Sequence, residues 1–457
     1  MDFMSNTHVV TVVGGGLAGS ECALQLAKRG IYVHLYEQRP QVSSPAHHSD
    51  KFAELVCSNS LKSMREASAA GLLKQELLYM DSELIKLAIQ ARVPAGAALA
   101  VDRDVFSNLV TQTIESHPCI TVIREQVHCI PEGPCVIAAG PLCSEELFAA
   151  VIARVGSAGS AFYDAAAPIV DTNSLNREVI FEQSRYGETG MGDYLNCPLN
   201  KEEYEAFIAE LLEAKRAISK DFDQSDLFNA CQPVEEIART GINSLRFGTM
   251  KPVGLVDPRT GKRPWAAVQL RPENKECTSY NLVGFQTNLT WPEQKRVFRM
   301  IPGLEYAAFF RYGVMHRNSF VDSPHVLDSS FALPGTQIRF AGQITGTEGY
   351  VEAIASGLFA ALNTFAELTN VQQVTLPKTG AFGSLVAYAT NPQTEDYQPM
   401  HVNFGIFKPL DQHVRSKKDR YAAYASRALN DLQAYVLSRP DLFSDGIGKN
   451  VLPKLED

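Results

Sequence analysis

The chain has 457 residues, 45% of them apolar and 20% charged, which is enough for two or three domains around at least one large core. No run approaches the roughly 18 apolar residues of a membrane helix, and the N-terminal apolar stretch ends in glycines without a small-residue cleavage site, so a soluble cytoplasmic protein is expected. The net charge of −9 excludes indiscriminate nucleic-acid binding, but Arg246 to Arg317 holds twelve cations against five acids. A basic region in an acidic chain suits one directed contact with a polyanion, the plainer reading being chance clustering on a solvated surface.

The first predicted element is the strand Val9 to Val13. It runs into Gly14-Gly15-Gly16-Leu17-Ala18-Gly19 and then an Ala/Leu-rich helix to Lys28, closed by Gly30. A second strand, Ile31 to Tyr36, ends at Glu37, which completes a βαβ unit of ordinary length. Helices are predicted over Asp81 to Ala91 and Asp102 to Ser116, and strands over Thr121 to Arg124 and Cys135 to Ala139. The texture changes in the middle. Glu202 to Ala217 is an amphipathic helix candidate, and Gly241 to Asn274 is punctuated by eight glycines and prolines, as in short strands and loops. The α/β pattern returns with the strand Ile338 to Ala341 and the helix Val351 to Thr364.

The glycine fingerprint follows a strand, opens a helix and has an acid at the end of the next strand. That context predicts a dinucleotide with its pyrophosphate at the helix N-terminus and Glu37 accepting from the adenosine ribose, which favours FAD or NAD over NADP. The late segment from Ala341 to Ala353 repeats the strand, glycine loop and helix start, with Gly342, Gln343, Gly349, Tyr350 and Val351 aimed at the far end of the cofactor. Paired with the first fingerprint it predicts FAD. His47 and His48 face different ways and lack a third ligand, so no metal is expected.

Nine scattered cysteines without a CxxC pair indicate neither a disulfide framework nor a zinc site. Most such thiols are small buried hydrophobes. Two sit in polar, turn-rich company that suits a partly exposed, reactive thiol. They are Cys57, beside Ser58, Asn59 and Ser60, and Cys231, before Gln232 and Pro233. Trp291 and His316 are candidate stacking surfaces for a planar ligand, although a Trp is more often core and a lone His more often a satisfied polar residue.

Long blocks carry a resemblance over nearly the whole chain: VVGGGLAGSE, PAHH and FAELVCSNSLKS near the start, then VPAGAALAVDRDVFS (93–107), YDAAAPIVD (163–171) and DYLNCPLN (193–200). They continue with LRFGTMKPVGLVDPRTGKRP (245–264), YNLVGFQTNLTWPEQKRVFRMIPGLE (280–305), RYGVMHRNSF (311–320) and AGQITGTEGYVEA (341–353). The chain resembles the bacterial folate- and FAD-dependent tRNA (uracil-5-)-methyltransferases. The resemblance implies methylation of the T-loop uridine of tRNA (uridine 54) at C5, with 5,10-methylenetetrahydrofolate as carbon donor and reduced FAD as reductant. NADPH or NADH would recharge the flavin, for which the chain has no second complete fingerprint. Cys231 would attack C6 of the uracil, and Cys57, beside the flavin, would take the C5 proton. Cys197, also in a matching block, would be structural. His316 and Trp291 would line the folate pocket, with Glu348 bonding the pterin edge, and the basic middle would contact tRNA phosphates.

The expected fold is therefore α/β. It is a Rossmann-like FAD-binding domain of the two-dinucleotide-site type (1–160 and 326–457), interrupted by a mixed α+β insertion domain on the RNA and folate side (161–325). The same chemistry on ribosomal RNA, a plain flavin-dependent NAD(P)H oxidoreductase and a noncatalytic RNA-binding flavoprotein are the alternatives. The sequence does not set the oligomeric state, and a monomer is compatible with it.

Overall fold

The first turn of chain fixes the first layer. The computed structural model describes residues 8–44, 46–156, 160–187, 192–218, 232–394, 397–443 and 452, with the side chains of 160–164 and 316–317 excepted. β1 (Val9–Val13), α1 (Leu17–Lys28) and β2 (Tyr32–Tyr36) form the expected βαβ unit. A small antiparallel sheet of β3 (Ser60–Ser63), β4 (Arg92–Val93) and β5 (Ala98–Val101) follows, with α2 (Ala69–Tyr79) and α3 (Glu83–Gln90) interleaved. The segment continues through α4 (Arg103–Glu115), β6 (Ile120–Ile123), β7 (Cys135–Ile137) and α5 (Glu145–Val155).

The chain then crosses on β8 (Ser160–Ala165) into a second layer. That layer comprises β9 (Ile169–Asp171), β10 (Phe181–Glu182), β11 (Leu195–Leu199), α6 (Lys201–Glu213), α7 (Val234–Arg239) and α8 (Ser244–Phe247). It closes with β12 (Ala266–Pro272), β13 (Ser279–Leu282), α9 (Trp291–Phe298) and β14 (Phe309–Arg311). The return strand β15 (Met315–Phe320) pairs antiparallel with β8, so exit and re-entry form one two-stranded ribbon. The chain finishes with α10 (Ser323–Val326), β16 (Ile338–Phe340), α11 (Tyr350–Leu368), α12 (Ala381–Ala389) and α13 (Lys417–Leu437).

Five strands make a parallel sheet in the order β16-β7-β1-β2-β6. Its order reverses between β7 and β2, on either side of β1, which is where an open α/β sheet leaves a crevice for a ligand. The second sheet is antiparallel in the order β10-β11-β12-β13-β9-β14 and has its own core, with Phe207, Phe285 and Phe298 between the sheet and α6 and α9. In the first core Phe331, Phe359 and Phe382 meet edge to face at centroid spacings of 5.9 and 5.8 Å. Truncating any of them to Ala costs about 3–5 kcal/mol.

Contrary to the sequence expectation, one described helix is long and apolar enough to cross a membrane. It is α11, and 83% of its apolar window is buried within the fold. It reads as a core helix because small residues let it lie directly on α1: a Cβ at Gly357 would strike the Ala18 backbone carbonyl.

Candidate active site

A cleft with about 1020 Å³ of empty space, part of it open to solvent, lies beside β1, α1 and the start of α11. Gly14, Gly15, Gly16, Leu17 and Ala18 form one wall, and Gly342, Gln343 and Tyr350 line it from the far end of the chain. The glycines there are dictated by space. At Gly14 φ is +104° and a Cβ would sit 2.5 Å from the Ala138 carbonyl oxygen, and at Gly15 it would meet the Phe52 ring. At Gly16 a Cβ would meet nothing within 4 Å, so this residue faces open space where a ligand backbone can approach. Gly19 does not line the cleft and instead lets α1 pack on the Gly14 carbonyl.

Both helices that point at the cleft start on glycine. Gly16 and Gly349 are the N-caps of α1 and α11, and neither helix has a side-chain cap. Uncapped first-turn N–H groups and the positive helix end together suit a phosphate or an electron-rich ring. These features fit the FAD expected from the sequence.

Glu37 lies at the end of β2 and is paired already. Its Oε1 accepts from the backbone N–H and Nε of Arg39 at 3.0 and 2.9 Å, and its Oε2 accepts from the Gly15 N–H at 3.0 Å and Arg39 Nη2 at 3.1 Å. Burial works to raise this carboxyl, but the bonds from Arg39 and Gly15 outweigh it and hold it below its ordinary value. Arg39, almost fully buried, also reaches Glu54 at 3.1 Å. Glu37 therefore braces the glycine turn as well as lining the cleft. Burial, and then Arg39, push the neighbouring His47 down to about 4, so it is neutral at pH 7.

At the α11 end Gln343 Nε2 donates to Glu348 Oε2 at 2.6 Å, and Glu348 is buried. Val351 turns its side chain into the core. Tyr350 has a different job: its phenolic oxygen accepts from the backbone N–H groups of Cys57 (2.7 Å) and Ser58 (3.2 Å). Burial, with the nearby Cys57 charge, raises the Tyr350 phenol, so it stays protonated.

Cys57 is half-buried on the loop between the two layers. Its Sγ approaches the Ala165 carbonyl at 3.5 Å. Arg103 Nη2 donates to the Cys57 carbonyl at 3.2 Å, and its Nε donates to Glu273 at 2.6 Å. From β12, buried Arg271 donates to Asn59 Oδ1 at 2.8 Å and to Ser58 Oγ at 2.7 Å. Arg311 donates to the Ala46 carbonyl at 2.7 Å. A negative charge on Cys57 attracts Arg103, Arg271 and Arg311 alike. All three guanidiniums are held by hydrogen bonds in this part of the fold, Arg103 and Arg271 on the Cys57 loop itself.

Residues from both layers thus converge on Cys57. The sequence signalled the thiol but not its arginines, two of which, Arg271 and Arg311, were counted in the basic region 246–317. One available clue was an arginine inside the apolar strand Ala266–Pro272, all seven of whose residues are buried.

Cys231 lies outside the described residues. The chain on either side of it is stitched to one place: Ala217 N donates to Asn288 O, and Val234 N donates to Gln286 O. His316 is placed by its backbone on β15, opposite Asp164. Trp291 is 58% exposed at the start of α9 and does not line the cleft. Cys22, Cys135 and Cys197 are buried, and burial raises all three thiols, as befits structural cysteines. Among the described residues no cluster of His, Cys, Asp or Glu could hold a metal.

The family described as glucose inhibited division protein A matches residues 9–372. The chain is 48% identical over 434 residues to a methylenetetrahydrofolate–tRNA-(uracil-5-)-methyltransferase TrmFO of Shouchella clausii, covering 95% of this chain and 99% of the relative. It is 49% identical to the protein of the same name from Enterococcus faecalis, covering 95% and 100%. Among solved structures, Aquifex aeolicus GidA superposes with a TM-score of 0.68 at 14% identity, covering 98% of this chain and 76% of that one, a likeness of fold. With end-to-end matches at this identity, the chain belongs to the glucose inhibited division protein A family and, within it, to the methylenetetrahydrofolate–tRNA-(uracil-5-)-methyltransferases.

Proposed function

We propose that this chain methylates C5 of the T-loop uridine of tRNA (uridine 54), with Cys231 as nucleophile and Cys57 as general base. The observation that carries the reading is the seat of Cys57, hung from Tyr350 at the cleft wall and ringed by arginines of both layers. The name shared by the relatives supplies the substrate class. When bound, methylenetetrahydrofolate supplies the one-carbon unit and reduced FAD the electrons, with NADPH or NADH as their source. The reading implies a cytoplasmic enzyme whose segment 161–325 faces the RNA.

The protein's own tasks follow from its residues. The Cys231 sulfur adds to C6 of the uracil, forming an S–C6 bond and moving the pair of electrons of the C5–C6 bond onto C5, which becomes nucleophilic. After C5 has gained its carbon, the Cys57 sulfur takes the C5 proton, and elimination breaks the S–C6 bond. Tyr350, Arg103 and Arg271 hold the loop of the base in place. Gly14, Gly16, Gly342 and the uncapped turns of α1 and α11 would hold the cofactor.

The test is a T-arm minihelix carrying 5-fluorouridine. The wild type forms an adduct that survives a denaturing gel, Cys231→Ala does not, and Cys57→Ala forms the adduct but does not turn over normal RNA. An adduct formed as before by Cys231→Ala would sink the role assignment.

A further inference from the structure

We propose that Trp291, Tyr312 and Phe309 form a stacking platform for an unpaired nucleobase of the RNA, outside the cofactor cleft. The inference rests on the RNA-methylation reading above and adds to it a site for a nucleotide other than the target.

The three rings form a nearly parallel ladder. Trp291 and Tyr312 stack at 5.6 Å with 15° between their planes, and Tyr312 and Phe309 at 5.1 Å with 18°. The outer rung, Trp291, is 58% exposed, and the chain running on from α9 through β14 leaves Tyr306 80% and Phe310 64% exposed. A large aromatic held face-on to another ring yet left in solvent contributes little to a core. Base stacking on such a face is strong and tolerant of sequence.

The ladder is also fixed in place. Gln294, fully buried on α9, accepts from the Gly313 N–H at 2.8 Å and donates to the Gly313 carbonyl at 2.8 Å and the Leu289 carbonyl at 2.7 Å. Position 313 must be glycine, because a Cβ there would lie 2.6 Å from the Ala166 carbonyl oxygen. The clip locks the Tyr312 segment onto the helix that carries Trp291, so little conformational freedom is left to lose on binding.

Charge and position identify the occupant. Lys295 lies one turn from Trp291 on the same face of α9, is exposed and has no ion pair among the described residues. It can meet a phosphate beside the stacked base. On one side of the ladder Arg311, next to Tyr312, reaches the Ala46 carbonyl and interacts with Cys57. On the other side, residues 286–290, just before Trp291, hold the chain on both sides of Cys231. A uracil between the two thiols has left its own stack, and its neighbour loses a stacking partner when it does. The ladder, flanked by Arg311 and by residues 286–290, replaces that partner. A pteridine would instead need to reach the cleft lined by Gln343 and Tyr350, which Trp291 does not line.

The test uses the full-length flavoprotein and the T-arm minihelix. Trp291→Ala and Tyr312→Leu should each weaken minihelix binding by roughly fivefold to a hundredfold, and Trp291→Phe should retain most of it. The KM for methylenetetrahydrofolate and the rate of flavin reduction by NADH should stay within about twofold of wild type. Binding should quench tryptophan fluorescence in the wild type and leave Trp265, the remaining tryptophan of Trp291→Ala, unquenched. Unchanged minihelix affinity in both variants overturns the platform, and so does a raised folate KM with RNA affinity intact. Failure of the wild type to bind the minihelix would instead bring down the RNA reading and the platform together.

Discussion

Tyr350→Phe isolates the link between the cofactor cleft and the loop of Cys57, because it deletes one oxygen and keeps the ring. That oxygen accepts two backbone N–H groups, from Cys57 at 2.7 Å and Ser58 at 3.2 Å. Each buried donor left without an acceptor costs about 1–3 kcal/mol, and partial access of water to this half-buried loop brings the pair to about 2 kcal/mol in all. Spread over a domain of this size the loss shifts Tm by only a few degrees. Concentrated on the position of Cys57, it corresponds to about a thirtyfold loss in the proton-abstraction step. The assay is single-turnover methylation of the minihelix, run beside NADH-driven flavin reduction and fluorouridine adduct formation. Methyl transfer should fall about thirtyfold while reduction and adduct formation stay near wild type. Full turnover in Tyr350→Phe would refute the argument that this hydroxyl seats the base.

Three further outcomes follow from the same structure. Gly14→Ala puts a methyl group against the Ala138 carbonyl at a φ of +104°, so the protein should purify without the yellow absorbance of bound flavin, and a fully loaded variant would contradict the steric account. Arg271→Met removes the buried guanidinium that bonds Asn59 and Ser58. It should cost about 3 kcal/mol and abolish turnover with RNA, as read by chemical denaturation and by methyl transfer, whereas unaltered stability would mean the clamp is dispensable. Burial raises the Glu76 carboxyl from 4.5 to about 7, against the N–H bonds it accepts from Ala381 and Phe382. The folded state then binds this proton more tightly than the unfolded chain, so the stabilisation is complete below about pH 4.5 and is lost as pH rises through 7, a change of about 3 kcal/mol. Urea denaturation at pH 5.5 and 8 should show the wild type losing more stability than Glu76→Gln, and parallel profiles would count against it.

What the sequence revealed was whatever local chemistry writes down. The turn from β1 into α1 and the turn from β16 towards α11 both need glycine at fixed offsets, so both were legible and so was the cofactor class. The β8–β15 ribbon was not, because Ser160 pairs with Phe320 through distant chain and no local periodicity reports it. Cys57 stood out by its polar neighbours, but its partner Tyr350 is 293 residues away. Arg271 and Arg311 were counted in a basic region read as a polyanion contact or a solvated surface, and folding instead turned them onto Asn59, Ser58 and the Ala46 carbonyl. The apolar length of α11 likewise has a tertiary cause, since a helix buried on nearly every side has no polar face to display.

The glycine N-caps of α1 and α11 carry a consequence for how much of this protein a cell holds. A helix that begins on glycine leaves its first N–H groups to be satisfied from outside the chain, so a bound dinucleotide completes two helices as well as preparing a reaction. Any ligand bound only by the folded state stabilises it by mass action, about 2.7 kcal/mol at a hundredfold excess over Kd. Folded abundance should therefore follow flavin supply, and a cell short of riboflavin would lose this enzyme to proteolysis before it lost the activity of the molecules that remain.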